Sequence, residues 1–192
     1  AGLVTPRQVA RATVLVFGLA FLSGLYLVAV GGWPILAIGL SGIAAGVLYT
    51  GGPWPLGYHG LGDLFTFVFF GVIAVWGTHY VHTGAWDPFA FFLSLPVACL
   101  VTAILVVNNL RDIETDRAAR KMTLAVRLGK HWTKAYYTAL IAAAFLLPLL
   151  YWAAGRMTAA AAIPWLAAPF AAGPLRTVYT QEGRALNAAL KG

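Results

Sequence analysis

The sequence predicts an all-α membrane protein, a polytopic transmembrane helical bundle. Of its 192 residues, 60% are hydrophobic and only 10% are charged, and the mean hydropathy is +0.79. The apolar residues are gathered in runs that are long enough to cross a bilayer. A soluble globular domain carries about 25% charged residues and shorter apolar runs, so this composition excludes that class.

Six apolar segments are predicted to span the membrane, since each has the roughly 17 or more residues that the hydrocarbon core requires. None has the short apolar core and small-residue cleavage site of a signal peptide, so all six are interpreted as structural. In chain order they cover residues 9–30, 33–49, 61–81, 89–107, 136–154 and 158–175.

Glycine and proline occur inside these spans, where membrane helices tolerate them. Glycines allow neighbouring helices to approach closely, and prolines kink a helix without ending it. The first three spans contain the glycines of interest and the last three the prolines, namely Gly18, Gly24, Gly39, Gly71, Pro96, Pro148 and Pro164.

The basic residues predict the orientation of the bundle. Twelve of the 13 lysines and arginines fall on one side of the six spans, and only Arg156 falls on the other. Because cytoplasmic loops are enriched in lysine and arginine, both ends of the chain are predicted to be cytoplasmic in the inner (plasma) membrane. The twelve are Arg7, Arg11, Arg111, Arg117, Arg120, Lys121, Arg127, Lys130, Lys134, Arg176, Arg184 and Lys191.

The net charge of +7 needs no nucleic acid as a partner. Anionic headgroups of the lipid bilayer and a phosphorylated substrate are sufficient counterparts for a basic cytoplasmic face. The sequence therefore predicts a membrane protein that handles an anionic small molecule.

A polar motif at residues 108–116 directly follows the fourth span. It reads Asn-Asn-Leu-Arg-Asp-Ile-Glu-Thr-Asp and holds three of the six acidic residues of the chain. If the motif is helical, Asn108, Asp112 and Asp116 recur at i, i+4 and i+8 and share one face. Two carboxylates one turn apart can hold Mg²⁺, which commonly bridges one or two carboxylates to a diphosphate.

The basic residues Arg111, Arg117, Arg120 and Lys121 surround this motif and could neutralise the diphosphate. The alternative is a solvated loop in which acids and bases merely pair between two spans. Two amides, Asn108 and Asn109, precede the acids on the same helical path, which favours the metal and phosphate site.

The connection at residues 49–63 lies on the same predicted side of the membrane. Its glycines and prolines predict a preshaped loop rather than a helix. Such a loop could present the Tyr49 and Tyr58 hydroxyls and His59 to a ligand, whereas a plain turn between two spans needs far fewer residues. Asp63 enters the third span, and acids at that depth are costly and tend to be functional.

Residues 49–63, 108–116 and 123–129 together resemble the 1,4-dihydroxy-2-naphthoate polyprenyltransferase branch of the UbiA-type membrane prenyltransferases. The resemblance runs through the whole chain and rests on three ordered motifs. It implies the UbiA-type prenyltransferase fold and a magnesium-dependent aromatic prenyltransferase. In that family a polyprenyl or phytyl diphosphate ionises, and the allylic cation alkylates 1,4-dihydroxy-2-naphthoate with loss of carbon dioxide, on the path to menaquinone or phylloquinone.

The resemblance also assigns roles to residues of this chain. Asp112 and Asp116 resemble the second aspartate-rich motif, which holds Mg²⁺ and diphosphate. Asn108, Asn109, Arg111, Arg117 and Lys121 are then expected to support the diphosphate. The 49–63 connection, with Tyr49, Tyr58 and Asp63, is expected to close over the reacting end, and the apolar spans to sheath the isoprenoid tail.

The chain departs from the family pattern in three respects. A first aspartate-rich motif is expected ahead of residues 2–8, and nothing here supplies it. The family has about nine spans, so this chain is interpreted as an internal fragment that covers spans three to eight and is inactive alone. Arg120 and Met122 stand where the pattern predicts Gly and a basic residue.

Two other functions fit part of the pattern. A sister enzyme that prenylates hydroxybenzoate, homogentisate or haem would share the aspartate pair, but the 49–63 connection and the Asn108–Asn109 pair argue against it. A small cation transporter would use Asp112 and Asp116 as a gate, but it predicts acids within the spans, and the central parts of these spans contain none.

Overall fold

The computed structural model describes residues 4–51 and 54–190, and within them it contains helices and no β-strand. Lys191 and part of the 49–63 connection, Gly52 and Pro53, lie outside the described residues. The α-helices are α1 (Pro6–Gly31), α2 (Trp33–Thr50), α3 (Gly62–Phe65), α4 (Ala74–Thr83), α5 (Pro88–Arg111), α6 (Ile113–Ala118), α7 (Leu124–Ala153) and α8 (Ala168–Thr180). A π-helical segment, Thr66–Ile73, joins α3 to α4, and 3₁₀ segments cover Leu56–His59, Ala159–Ala167 and Gly183–Leu190.

Five helices of the described residues are long and apolar enough to cross a membrane: α1, α2, the joined helix Gly62–Thr83, α5 and α7. The prediction of six spans is wrong in its last member. Residues 158–175 divide into the 3₁₀ segment Ala159–Ala167 and α8. Pro164 lies inside the 3₁₀ segment and Pro169 in the first turn of α8, and α8 continues through Pro174. The change of helix type at Ala168 leaves an α-helix of 13 residues, which is too short to span the hydrocarbon core.

Helix α7, which corresponds to the fifth predicted span, is longer than predicted. It begins at Leu124 rather than near residue 136, and Gly129, with φ 74° and ψ 170°, divides it into a short first part and a long second part. This positive φ is a conformation that glycine adopts without steric cost. Arg127, Lys130 and Lys134 lie between the start of α7 and residue 136, so a hydropathy criterion does not include these turns.

Helix α5 lies at the centre of the fold. It packs against α7 and against the π-helical segment, and Ala98, Val106 and Val107 are at most 1% exposed. Gly71 of the π-helical segment lies directly on Ala98, where any Cβ at position 71 would overlap it. Small residues thus bring the third long helix onto α5.

The predicted cytoplasmic connections lie together at one end of the bundle. The backbone N–H of Met122 donates to the carbonyl of Tyr58 at 3.0 Å, and Lys130 pairs with Glu182 at 2.9 Å. At the opposite end, the Tyr80 hydroxyl donates to the carbonyl of Gly31 at 3.0 Å. The polar motifs that the sequence singles out therefore share one end.

Candidate functional site

Helix α5 ends inside the 108–116 motif. Asp112 has φ −102° and ψ 10°, outside the helical region, and α6 begins at the next residue. The motif is therefore helical on both sides of a break at Asp112 rather than one uninterrupted helix. The i, i+4 hydrogen bonds nevertheless continue, from Asp112 N to Asn108 O at 3.2 Å and from Asp116 N to Asp112 O at 2.8 Å. The two aspartates thus remain one turn apart.

Asp112 forms a two-point ion pair with the preceding residue. The Nε and Nη2 atoms of Arg111 donate to its two carboxylate oxygens at 2.8 and 2.7 Å. These hydrogen bonds hold the pKa of Asp112 below its usual value, with the charge of the guanidinium adding to the effect. The carboxylate is therefore ionised at neutral pH, as a metal ligand must be.

Asp116 is held by Lys121. The ammonium group lies 3.3 Å from both carboxylate oxygens, and the backbone N–H of Lys121 donates to the carbonyl of Asp116 at 2.8 Å. Arg120 allows this reversal of the chain because its φ is +56°, the left-handed conformation. That conformation favours glycine, the residue that the family pattern predicts at this position.

Glu114 and Arg117 form ion pairs that do not include the two aspartates. They pair with each other at 3.2 Å, and both side chains are more than half exposed. Arg117 was predicted to support the diphosphate, but in the described residues its one ion pair is with Glu114. An exposed pair of this kind contributes little to stability.

The two asparagines are placed differently from each other. Asn108 donates from Nδ2 to the carbonyl of Ile104 at 3.2 Å, and Asn109 is buried. No hydrogen bond joins either amide to Asp112 or Asp116 within the described part of the chain. The support of the diphosphate site by these two amides therefore stays a prediction.

The 49–63 connection is partly helical, which corrects the prediction of a loop. Tyr49 lies in the last turn of α2, and the 3₁₀ segment Leu56–His59 holds Tyr58. Gly60, with φ +78°, lies so close to Met122 that a Cβ would come within 3.2 Å of the carbonyl oxygen of Met122. The connection is thereby docked on the residues that follow Asp116.

Two glycines make room for the ring of Tyr49. A Cβ at Gly57 would lie 3.1 Å from the ring of Tyr49, and a Cβ at Gly62 would lie 2.8 Å from its hydroxyl oxygen. Both distances are shorter than ordinary van der Waals contact, so larger side chains would displace the ring. The glycines that predicted a shaped loop thus position the Tyr49 hydroxyl.

Asp63 is the most deeply buried acid of the described residues. Its residue is 4% exposed, and Oδ2 has no hydrogen-bond partner among the described residues. The hydroxyls of Tyr49 and Tyr136 lie within electrostatic range of this carboxylate. A buried carboxylate oxygen without a partner is costly, which makes Asp63 a candidate for a functional role. Tyr136 did not emerge from the sequence, because it starts the predicted fifth span as one aromatic among many.

An apolar cavity of about 490 Å³ opens beside Tyr49, between α2 and the third long helix. Aromatic, aliphatic and small side chains form most of its walls, and Tyr49 and Thr66 contribute hydroxyl groups. The cavity is lined by Ile38, Gly42, Ala45, Gly46, Tyr49, Phe65, Thr66, Phe69, Phe70 and Ile73.

The donor set of Asp112 and Asp116 fits a hard divalent cation. Residues 4–51 and 54–190 contain no group of three His, Cys, Asp or Glu side chains that could hold a metal. Such a group is not required for Mg²⁺, which keeps several waters and takes one or two carboxylates together with substrate phosphates. The two carboxylates and the cations beside them match that arrangement.

The chain matches a family model described as the UbiA prenyltransferase family over residues 1–190. A relative from Mycobacterium tuberculosis named 1,4-dihydroxy-2-naphthoate octaprenyltransferase is 41% identical over 183 residues, 91% of this chain and 60% of the relative. Proteins of the same name from Bacillus subtilis and Escherichia coli are 35% identical over 88% of this chain and 41% identical over 73% of it. These alignments cover 53% and 47% of those relatives, so the chain spans about half the length of the curated relatives it matches.

Proposed function

The chain belongs to the UbiA prenyltransferase family, and from this premise we propose that its protein transfers a polyprenyl or phytyl group from the diphosphate to 1,4-dihydroxy-2-naphthoate. Carbon dioxide is lost in the same reaction, and the product leads to menaquinone or phylloquinone. The names of the relatives support this acceptor. The reaction is carried out at a membrane, which holds both the isoprenoid tail and the helices around it.

The observation that carries the proposal is the junction of a charged site with an apolar cavity. Tyr49 lines the cavity of about 490 Å³, and its hydroxyl lies against Gly62, the neighbour of Asp63. The same connection reaches the residues that follow Asp116 through the hydrogen bond from the N–H of Met122 to the carbonyl of Tyr58 at 3.0 Å. A polyprenyl diphosphate has the matching shape, with an anionic head on a long apolar tail. The head is therefore assigned to the 108–116 motif and the tail to the cavity.

Mg²⁺ is the cofactor that we assign to Asp112 and Asp116. When bound, it supplies positive charge that stabilises the leaving diphosphate. Lys121 and Arg111 add fixed cations on the same side. Because they are paired with the two aspartates before substrate binds, they also keep two neighbouring carboxylates from repelling each other.

The remaining side chains act on the acceptor. Asp63 has one oxygen without a partner among the described residues, and it is assigned as the acceptor of a proton from a ring hydroxyl of the naphthoate. Tyr49 and Tyr58 are assigned to the same end, where they close the reacting centre from the side of the 49–63 connection. Exclusion of water protects the allylic cation from hydrolysis, since a dry site suppresses that side reaction.

A transfer assay tests the proposal directly. Membranes that contain the full-length protein are expected to transfer labelled polyprenyl groups to 1,4-dihydroxy-2-naphthoate and to release carbon dioxide when Mg²⁺ is present. Removal of Mg²⁺ with a chelator is expected to abolish the transfer. A preference for 4-hydroxybenzoate in competition would assign the protein to a sister branch instead.

We propose further that the end of the bundle with residues 49–63 and 108–116 lies on the cytoplasmic side of the inner membrane. In a Cys99→Ala background, a single cysteine at His131 is expected to react with an impermeant maleimide only after the cytoplasmic face is opened. A single cysteine at Thr83 is expected to react from outside. Both positions are exposed, so the side of the membrane decides whether the maleimide reaches them. Labelling of position 131 in intact cells would show that the orientation is the opposite of the proposed one.

A further inference from the structure

The 3₁₀ segment Gly183–Leu190 is fixed against the end of the bundle that carries the 108–116 motif. Leu186 is 1% exposed, and Ala189 and Leu190 pack against the core formed by α5 and α7. The apolar side of this short segment therefore sets its position. Its polar side is brought to the residues at the end of α5.

Asn187 lies on that polar side and contacts the ion pair of Asp112. Its Oδ1 accepts a hydrogen bond from Nη1 of Arg111 at 2.7 Å, across 76 residues of sequence. Nε and Nη2 of the same guanidinium are occupied by Asp112. The planar guanidinium is thus held by two acceptors on two different segments.

This contact matters because Arg111 is otherwise a long side chain at the end of a helix. Arginine loses about 2 kcal/mol of rotamer entropy when it is ordered, and a fixed acceptor reduces the freedom that remains to be lost. A guanidinium has five N–H donors, so two remain for an incoming anion after Asp112 and Asn187 take three. The second contact therefore orients both the carboxylate and the free donors.

We propose that Asn187 is a positioning residue for the magnesium and diphosphate site, acting through Arg111 to hold the carboxylate of Asp112 in its binding orientation. The inference rests on the function proposed above for that site. It assigns to the segment after α8 a part in binding of the diphosphate head.

Glu182 provides a matched control at the start of the same segment. It pairs with Lys130 at 2.9 Å, and both side chains are more than two fifths exposed. Its contact holds the segment to α7 and does not involve Arg111. A change at Glu182 therefore tests loosening of the segment alone.

The test uses the purified full-length protein in detergent, with inorganic diphosphate as the probe. The quantity measured is the Mg²⁺ concentration that gives half of the diphosphate-dependent increase in Tm. Asn187→Leu, similar in size without the acceptor, is expected to raise this midpoint roughly tenfold, the lower end of the effect of losing an outer partner of a metal ligand. Asn187→Asp keeps the acceptor oxygen, so its Mg²⁺ midpoint is expected to stay within about threefold of the wild-type midpoint. The midpoint of Glu182→Gln is expected to stay within the same range of the wild type.

A double-mutant cycle tests the route through Arg111. In an Arg111→Met background, Asn187→Leu is expected to produce no further change, because the group it orients is gone. The inference would be overturned if Asn187→Leu and the wild type had equal midpoints, or if Glu182→Gln raised the midpoint as much as Asn187→Leu. It would also be overturned if Mg²⁺ and diphosphate did not raise the Tm of the wild type. Normal protection of the wild type without transfer to the naphthoate would instead contradict the proposed function alone.

Discussion

Asp112→Asn and Asp116→Asn in the full-length protein are each expected to lower magnesium-dependent prenyl transfer by roughly a hundredfold or more, which corresponds to about 2.7 kcal/mol of lost transition-state stabilisation. Each substitution keeps the size of the side chain and removes one charge from the metal site. Because both aspartates are partly exposed and lie outside the core, Tm is expected to change little. The measurement is the rate of transfer as a function of Mg²⁺ concentration.

Glu114→Gln is the control within the same motif. It removes the same charge from an exposed side chain that pairs with Arg117 and Lys130 rather than with Arg111 or Lys121. The rate is expected to fall by much less than for the aspartate variants. An equal loss for all three substitutions would indicate a general electrostatic effect of the acidic segment and would contradict the assignment of Asp112 and Asp116 as metal ligands.

The long helices were predictable because hydropathy and length report a membrane span directly. Predicted spans 9–30, 33–49, 61–81 and 89–107 correspond to α1, α2, the Gly62–Thr83 helix and α5. The sixth span was wrong because hydropathy does not register helix type, and the segment is a 3₁₀ helix up to Ala167 and a short α-helix after it. Hydropathy also misses the first turns of α7, because they carry Arg127, Lys130 and Lys134.

The candidate site was predictable only where its residues are close in sequence. The spacing of Asp112 and Asp116 gave two carboxylates one turn apart. The ion pair between Lys121 and Asp116 was not predictable from spacing, since it depends on the left-handed conformation of Arg120. Asn187, 76 residues from Arg111, lies in a segment with no motif of its own, and such contacts are decided by tertiary packing.

Asp63 illustrates a different limit of the sequence. Its position at the entrance of a span indicated function, but only the structure shows an oxygen without a partner among the described residues. Thr102 shares this feature, since it is fully buried in α5 and its Oγ1 is also unpartnered within the described part of the chain. The two residues therefore allow a comparison between a group with a proposed catalytic role and one without.

Asp63→Leu is expected to stabilise the protein while it lowers transfer to 1,4-dihydroxy-2-naphthoate by about a hundredfold, the lower end of the contribution of a general base. Stability should rise because an apolar side chain of similar size replaces a buried carboxylate, one oxygen of which has no partner within the described part of the chain. Asp63→Asn is expected to lose nearly as much activity, since an amide does not take the proton. Thr102→Val is expected to raise Tm with unchanged turnover, and protection by Mg²⁺ and diphosphate is expected to be normal in all three variants. If Asp63→Leu raised Tm and kept full turnover, Asp63 would have no role in activating the acceptor.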